Sequence, residues 1–298
     1  MPFPIKSITQ LHRLLEIEKP KHPLVSVIDF STIKCFEKDL ETVTYHFYCI
    51  ALKKNFEGMM KYGQQYVDFE EGVMTFFSPH QVVTTEIVDD LQLEGYWLVI
   101  HPDFLKGTAF DHKIKNYPFF SYEVYEALFL SEDEEQSIKD LLLQIRKETQ
   151  VNIDHFSQEI ILSQIELMLN YVSRYYSRQF ITRQSSNRDI LMKFEKILTE
   201  TYHQENDFTK ITVEEIAGQL HLSPNYLSDL LRSISGASTQ EHIQRFKLEK
   251  AKELLTSTEL SVSEIAYRLG YERPQSFNKI FKKYTELSPL EYKKSFNN

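Results

Sequence analysis

Residues 24–100 alternate short apolar runs with clusters of charged and turn-forming residues. Three of the runs, from Thr44 to Leu52, from Val73 to Phe77 and from Tyr96 to Ile100, are rich in β-branched and aromatic residues. Such runs, bounded by lysine, asparagine, serine and proline, are typical of β-strands. Several short strands at this spacing predict a β-sandwich or a β-barrel.

From Ser131 onward the hydrophobic period is that of helices. Ser131 and Glu134 have the spacing of a capping box, and an amphipathic helix to about Glu148 follows. A second helix is predicted over about 154–176. Its apolar stripe is broad, which suits either burial against the sheet or a subunit interface, and both can hold on different faces. The polar run Thr182–Asn187 is interpreted as an interdomain linker.

The last third of the chain contains an internal repeat. Residues 211–220 recur as residues 260–269 at an offset of 49, which becomes 50 after the extra residue Glu272. In each copy a capping box starts the first helix, a short turn follows at His221 or Gly270, and a proline starts the second helix. Histidine and glycine both accept a positive φ in such a turn. A short helix, a tight turn and a second helix, used twice, predict two helix-turn-helix units.

The second helix of each unit divides into an apolar and a polar face. The residues predicted to be buried are Leu227, Leu230, Leu231 and Ile234 in the first unit, and Phe277, Ile280, Phe281 and Tyr284 in the second. Amide, hydroxyl and basic side chains on the other face are of the kind that reads base edges in the major groove of DNA. The predicted base-reading residues are Asn225, Ser228, Asp229, Arg232, Gln275, Ser276, Asn278 and Lys279. A solvated helix face is the alternative, and two copies in register argue against it.

Residues 239–255, between the two units, predict one long helix. A rigid helix there would fix the distance between the two reading helices. Contact with one face of DNA requires that distance to be about 34 Å, one turn of the duplex.

The net charge of −9 is unfavourable for a DNA-binding protein until the chain is divided. Residues 1–187 hold 18 basic and 27 acidic residues, whereas residues 188–298 hold 16 of each. Within 273–294 six basic residues face two acidic ones, and a local basic surface is what phosphate contact requires. The predicted phosphate contacts are Arg273, Lys282, Lys283, Lys293 and Lys294, with the helix-capping residues Thr212 and Ser261.

Several segments of the second unit closely resemble the AraC/XylS family of bacterial regulators. They are SEIA at 263–266, LGY at 269–271, SFNKIFKK at 276–283 and SPLEYK at 288–293, and the resemblance covers about 190–298. Four positions depart from the family pattern. Glu286 stands where glycine is usual, Lys247 and Lys293 where arginine is usual, and Asp229 where a basic residue is common. Asp229 places a carboxylate on the polar face of the first unit, where phosphates repel it but a cytosine amino group can donate to it.

The resemblance implies an α+β protein with a cupin-like N-terminal β-barrel followed by helices. It implies a sensor or dimerisation domain over 1–178, a linker over 179–189 and a DNA-binding domain over 190–298. In this family such N-terminal domains bind small effectors or mediate dimerisation. The resemblance transfers no effector-binding residue to this chain.

Enzyme and membrane functions have little support in the sequence. Metal cupins need clustered histidine and carboxylate ligands, whereas four histidines here stand apart along the chain: His46, His80, His101 and His112. No catalytic motif is present, so we expect no catalytic residue, metal site or cofactor. No apolar run of about eighteen residues or secretory signal occurs, and the two separate cysteines suit a reducing cytoplasm.

The expected function is sequence-specific regulation of transcription, as an activator that responds to a small-molecule effector bound by the N-terminal domain. The expected partners are double-stranded DNA, a second copy of the chain and RNA polymerase. One alternative is an effector-independent regulator whose N-terminal domain only dimerises or binds a protein. A second is an adaptor whose helix-turn-helix units bind protein, against which the basic segment at 273–294 argues.

Overall fold

The computed structural model describes residues 2–34, 42–54, 61–62, 65–66, 72–84, 94–123, 126–182, 184–205 and 211–296. The backbone divides into an N-terminal unit, residues 1–179, and a C-terminal unit, residues 180–298. The strands of the N-terminal unit are β1 (Phe3–Ile5), β2 (Val25–Asp29), β3 (Thr42–Tyr45), β4 (Tyr48–Lys54), β5 (Lys61–Tyr62), β6 (Gln65–Tyr66), β7 (Val73–Phe77), β8 (Val82–Thr84), β9 (Glu94–Ile100) and β10 (Leu128–Phe129). Its helices are α1 (Ile8–Leu14), α2 (Phe110–Lys113), α3 (Glu132–Gln150) and most of α4 (Ser157–Thr182).

The described strands form separate sheets. Five antiparallel strands have the order β10-β7-β4-β9-β2. A second sheet has the order β1-β3-β8, in which β1 is parallel and β8 antiparallel to β3, and β5 pairs with β6. In the large sheet Cys49 of β4 lies between Phe77 of β7 and Val99 of β9. The prediction of a strand-rich N-terminal part is confirmed. The strands that the structure describes do not close into a barrel, so the cupin-like barrel stays a prediction.

Each face of the large sheet is covered by apolar side chains. One face, with Ala51 and Trp97, packs in a core with Val43 of β3, Val83 of β8 and residues of α1. On the other face, aromatic rings connect β7 to α4. Phe76 lies against Phe119, which stacks on Tyr176 at 5.8 Å between ring centroids.

The broad stripe of α4 has two parts in the structure. Ile161, Ile165, Met168 and Val172 are buried, as expected for a helix that covers the sheet. Ile160 and Leu167 are exposed. Burial therefore accounts for one face of α4, and the predicted subunit interface concerns the other and stays a prediction.

Helices occupy most of residues 182–187, the segment whose polar composition predicts a linker. Helix α4 continues to Thr182 and α5 (Gln184–Glu205) begins two residues later. Polar residues need not interrupt a helix when they face solvent or are satisfied locally. The buried Asn187 is satisfied in this way, because its side-chain amide donates to the carbonyl of Phe180 at 2.5 Å. The domain limits 1–178, 179–189 and 190–298 stay predictions.

The C-terminal unit is entirely helical in the residues that the structure describes. After α5 come α6 (Val213–Gln219), α7 (Pro224–Ser235), α8 (Thr239–Ser257), α9 (Val262–Arg268), α10 (Pro274–Thr285) and α11 (Pro289–Phe296). Both predicted capping boxes form, at Thr212 with Glu215 and at Ser261 with Glu264.

Four helices of the C-terminal unit, α6, α7, α9 and α10, are each followed by a residue with a positive φ. His221 at 55° and Gly270 at 74° form the turns of the two helix-turn-helix units, as predicted. Gly236 at 75° ends α7, and Glu286 at 63° ends α10. Glycine adopts this conformation without strain, whereas glutamate does so at a cost.

Five of the eight residues predicted to be buried in α7 and α10 are buried. Leu227, Phe277 and Phe281 are fully buried, and Ile234 and Ile280 are half-buried. The prediction that Tyr284 is buried is wrong, because its side chain is 48% exposed. Tyr284 lies in the last turn of α10, where its ring can meet solvent, and the Lys283 ammonium lies 5.6 Å from the ring centroid.

Candidate nucleic-acid interface

Helix α10 presents the predicted base-reading residues of the second unit to solvent. Pro274 is in its first turn, where a missing N–H costs little, and Phe277 and Phe281 anchor the opposite face in the core. The four predicted readers, Gln275, Ser276, Asn278 and Lys279, are all exposed. Helical spacing places residues 275, 278, 279 and 282 on one side of the helix. The structure therefore brings Gln275, Asn278 and Lys279 together with Lys282 on one accessible surface.

Helix α7 presents a different surface at the corresponding positions. Asn225 is exposed and Ser228 is half-buried. Arg232 Nη1 donates to Asp229 Oδ1 at 3.0 Å, one helical turn away. The carboxylate thus offsets the one cation among the predicted readers of the first unit, and at an exposed site such a pair adds little to stability.

Four of the predicted phosphate contacts lie exposed in or beside α10 and α11. They are Arg273, Lys282, Lys283 and Lys294. Arg273 caps α10 through its backbone, whose carbonyl accepts from the amide of Ser276 at 3.0 Å, so its side chain is not used for capping. These four cations extend the surface of α10 and suit contact with a DNA backbone.

Lys293 differs from the other predicted phosphate contacts. Its side chain is half-buried, and its ammonium donates to the carbonyls of Thr258 and Leu260 at 3.1 and 3.0 Å. These bonds tie α11 to the segment between α8 and α9. Two of the three donors of Lys293 are therefore already used inside the unit.

The two capping residues are also engaged. The hydroxyl of Ser261 accepts from the amide of Glu264 at 3.3 Å, and the amide of Ser261 donates to the Glu264 carboxylate at 2.7 Å. Hydrogen bonds to the Glu264 carboxylate, first from the Ser261 side chain and then from the Ser261 amide, hold the pKa of Glu264 below its usual value, so a negative charge remains at the start of α9. Thr212 and Glu215 form the same arrangement at α6. A carboxylate there disfavours a phosphate, so the predicted roles of Thr212 and Ser261 lose support.

Sequence reasoning missed a polar cluster between α8 and the turn of the second unit. The hydroxyl of Tyr271 donates to Gln244 Oε1 at 3.0 Å, and Lys247 Nζ lies 5.5 Å from the centroid of the tyrosine ring. Lys247 is only 8% exposed. Burial raises the pKa of Tyr271 to about 12. The sequence offered two signals for this cluster: Tyr271 lies in the segment LGY, which carries the family resemblance, and Lys247 stands where arginine is usual.

The structure changes one statement about the histidines. In the N-terminal unit His46 and His80 do not stand apart, because their ring centroids lie 4.4 Å from each other. The pKa of His46 is lowered, first by desolvation and then by the neighbouring His80. In the described part of the chain, no group of three histidine, cysteine or acidic residues could hold a metal ion.

None of the helices in the described ranges is long and apolar enough to span a membrane.

Comparison with known proteins finds relatives for most of the C-terminal unit. A family described as "Helix-turn-helix domain" matches residues 216–295. The chain is 37% identical over 98 residues to the raffinose operon transcriptional regulatory protein RafR of Pediococcus pentosaceus, which covers 33% of this chain and 35% of that protein. It is 32% identical over 87 residues to the lactose operon transcription activator of Staphylococcus xylosus, which covers 29% and 31%. The chain thus spans about a third of the length of these relatives.

A solved structure is similar to the same share of the chain. It is the C-terminal domain of the two-component response regulator yesN of Fusobacterium nucleatum, with 34% identity and a TM-score of 0.31, over 34% of this chain and 93% of that one. The matched residues 216–295 include α7 and α10 and both turns with positive φ. Residues 216–295 therefore form a helix-turn-helix domain of the AraC type.

Proposed function

We propose that the chain is a sequence-specific DNA-binding regulator of transcription. The observation that carries the proposal is the exposed polar face of α10, the second helix of a helix-turn-helix unit. In such units the second helix enters the major groove and its side chains contact base edges. Amides can pair with adenine and lysine with guanine, so Gln275, Asn278 and Lys279 have the chemistry required for base reading.

The exposed cations around α10 are proposed to hold the duplex by its phosphates. Arg273, Lys282, Lys283 and Lys294 lie at the surface, and such contacts set orientation and affinity rather than sequence preference. Lys293 is the weakest member of the predicted set because two of its donors are used internally.

The first unit is proposed to contribute less affinity and a narrower preference. Asp229 repels phosphates, yet its carboxylate can accept a hydrogen bond from the amino group of cytosine. Arg232 is held by Asp229, and Asn225 and Ser228 are the remaining polar readers of α7. A binding site with a strong half for α10 and a weaker half for α7 would follow.

The N-terminal unit is proposed to be a cupin-like domain that binds a small-molecule effector and joins two copies of the chain. Its exposed apolar residues on α4, Ile160 and Leu167, would suit the second role. Activation, with RNA polymerase as partner, is the proposed mode of regulation in the cytoplasm, and one similar protein bears the name of an activator. The alternative is an effector-independent regulator whose N-terminal unit only dimerises or binds a protein.

Selection of tight-binding duplexes from a random pool with the full chain tests the proposal. We expect one sequence pattern to be enriched, with affinity that falls as salt rises from about 50 to 200 mM because counterions are released. Asn278→Ala should relax the preference at one base pair. Lys294→Ala should weaken binding to all duplexes equally. Recovery of no pattern, or binding that ignores salt, would refute DNA recognition.

A further inference from the structure

Helix α8 contacts the first helix-turn-helix unit and α5 through one of its faces. The hydroxyl of Ser235, in the last turn of α7, lies 2.7 Å from His242 Nε2 of α8. The His242 ring also meets Phe194 of α5, with 5.6 Å between centroids. One turn further, Phe246 meets Tyr202 of α5. This face of α8 therefore holds the end of α7.

Helix α8 also packs against α9 and α11, and on its opposite face it contacts Tyr271, in the turn of the second helix-turn-helix unit. Gln244 follows His242 by two positions, which places it about 200° around the helix. It accepts the hydrogen bond from the Tyr271 hydroxyl at 3.0 Å, and Lys247, one turn further, lies over the tyrosine ring. The same ring packs 5.3 Å from Phe277 of α10, measured between centroids. Tyr271 thus connects α8 to the base of α10.

We propose that the Tyr271–Gln244 hydrogen bond sets the spacing and twist between α7 and α10, so that both residues are positioning residues for the reading of two half-sites. The inference rests on the proposed function, because it concerns how two reading helices engage one duplex. It adds a determinant of site spacing, which base-reading residues do not supply.

The geometry of DNA makes this spacing consequential. One base pair advances the duplex by about 3.4 Å and turns it by about 34°. A pair of helices held in one arrangement therefore accepts one separation of half-sites and loses contacts when a base pair is inserted. A looser pair loses affinity for the correct separation but discriminates less against the wrong one, because ordering is then required upon binding.

Tyrosine and glutamine allow this bond to be removed with little loss of packing. Tyr271→Phe keeps the buried ring against Phe277 and removes only the hydroxyl. Gln244→Met keeps the length of the side chain and removes the acceptor, whereas Gln244→Glu keeps an acceptor for the tyrosine. Tyr267→Phe is the matched control, because Tyr267 is an exposed tyrosine of the adjacent helix α9.

The test measures dissociation constants of the full chain and these variants on three duplexes. The first carries the selected site, the second carries one extra base pair between its halves, and the third has the half assigned to α7 scrambled. Asn225→Ala makes that assignment, since it should relax preference only in that half. The spacing discrimination is the ratio of the dissociation constants for the second and first duplexes.

We expect Tyr271→Phe and Gln244→Met each to weaken binding to the correctly spaced duplex by about 3- to 10-fold, the usual effect of one hydrogen bond. Spacing discrimination should fall by a similar factor, and affinity for the scrambled duplex should not change. The double variant should lose no more than either single variant, since both remove the same bond. Gln244→Glu and Tyr267→Phe should behave as the unsubstituted chain.

Equal weakening on all three duplexes would overturn the inference, because it would indicate a general loss of structure. Unchanged discrimination in Tyr271→Phe would overturn it as well. Both results would leave DNA recognition intact, since the unsubstituted chain would still bind its selected site. Failure of the unsubstituted chain to bind any duplex would instead refute the proposed function, and the inference with it.

Discussion

Lys293 separates two roles that a basic residue can have in this domain. The sequence places it among the phosphate contacts, whereas the structure uses its ammonium to hold the carbonyls of Thr258 and Leu260. Lys293→Met removes the charge and keeps most of the apolar stem. Lys294→Met makes the same change at the adjacent, exposed residue and serves as the matched control.

The size of the effect follows from the two hydrogen bonds. Bonds that involve a charged group contribute about 1.5–3 kcal/mol each to stability. Lys293 is half-buried, and water screens part of this interaction, so about 1.5 kcal/mol for the pair is a reasonable value. For a domain of this size, about 4 °C of melting temperature corresponds to 1 kcal/mol. We therefore expect Lys293→Met to lower the melting temperature of the C-terminal unit by about 6 °C.

Thermal unfolding and the salt dependence of DNA binding together distinguish the roles. Each phosphate contact contributes about 0.9 to the slope of log affinity against log salt. Lys293→Met should unfold earlier and keep the slope, whereas Lys294→Met should keep its melting temperature and lose about 1 from the slope. The reasoning is refuted if Lys293→Met melts normally and loses the slope instead, because its ammonium would then contact DNA and not the carbonyls.

Four other substitutions have definite expected outcomes. Asp229→Asn removes the carboxylate that pairs with Arg232, so binding to duplexes of unrelated sequence should tighten and the salt slope should steepen by about 1; an unchanged slope would contradict this. Glu286→Gly should raise the free energy of unfolding by about 1 kcal/mol in urea, because Glu286 has a φ of 63°. Gly236→Ala at the matching position should lower it by about 1 kcal/mol, since a Cβ there meets nothing within 4 Å and only the backbone is strained; equal midpoints would oppose both. Thr239→Val should raise the free energy of unfolding by about 1 kcal/mol, because the Thr239 hydroxyl is buried with no hydrogen-bond partner among the described residues. A lower free energy of unfolding would contradict this, since it would mean that the hydroxyl forms a stabilising hydrogen bond.

Short-range features of the C-terminal unit could be predicted from the sequence. The capping boxes at Thr212 and Ser261 join residues three apart, and the turns at His221 and Gly270 depend on the backbone preferences of single residues. The repeat strengthened each prediction, because the same local signal occurred twice. The pairing of Asp229 with Arg232 is also local, and its i,i+3 spacing could have indicated it.

Contacts between distant residues could not be predicted in this way. Lys293 reaches carbonyls 33 and 35 residues away, and Tyr271 reaches a glutamine 27 residues away. A lysine that caps carbonyls has the same local pattern as a lysine that meets phosphate. Similarly, His46 and His80 meet because neighbouring strands bring their turns together, and their separation in sequence carries no sign of it.

The two reading helices differ in charge, and this difference makes the connection through α8 important for specificity. At an offset of 50, Lys279 of α10 corresponds to Asp229 of α7, and Lys282 corresponds to Arg232, whose charge Asp229 offsets. Counterion release rewards net cations, so α10 should supply most of the salt-dependent affinity and α7 little of its own. A weak reader adds discrimination only if it reaches its half-site without a further loss of entropy. A rigid connection through α8 meets that condition, which is why its contact with Tyr271 should matter more to specificity than to folding.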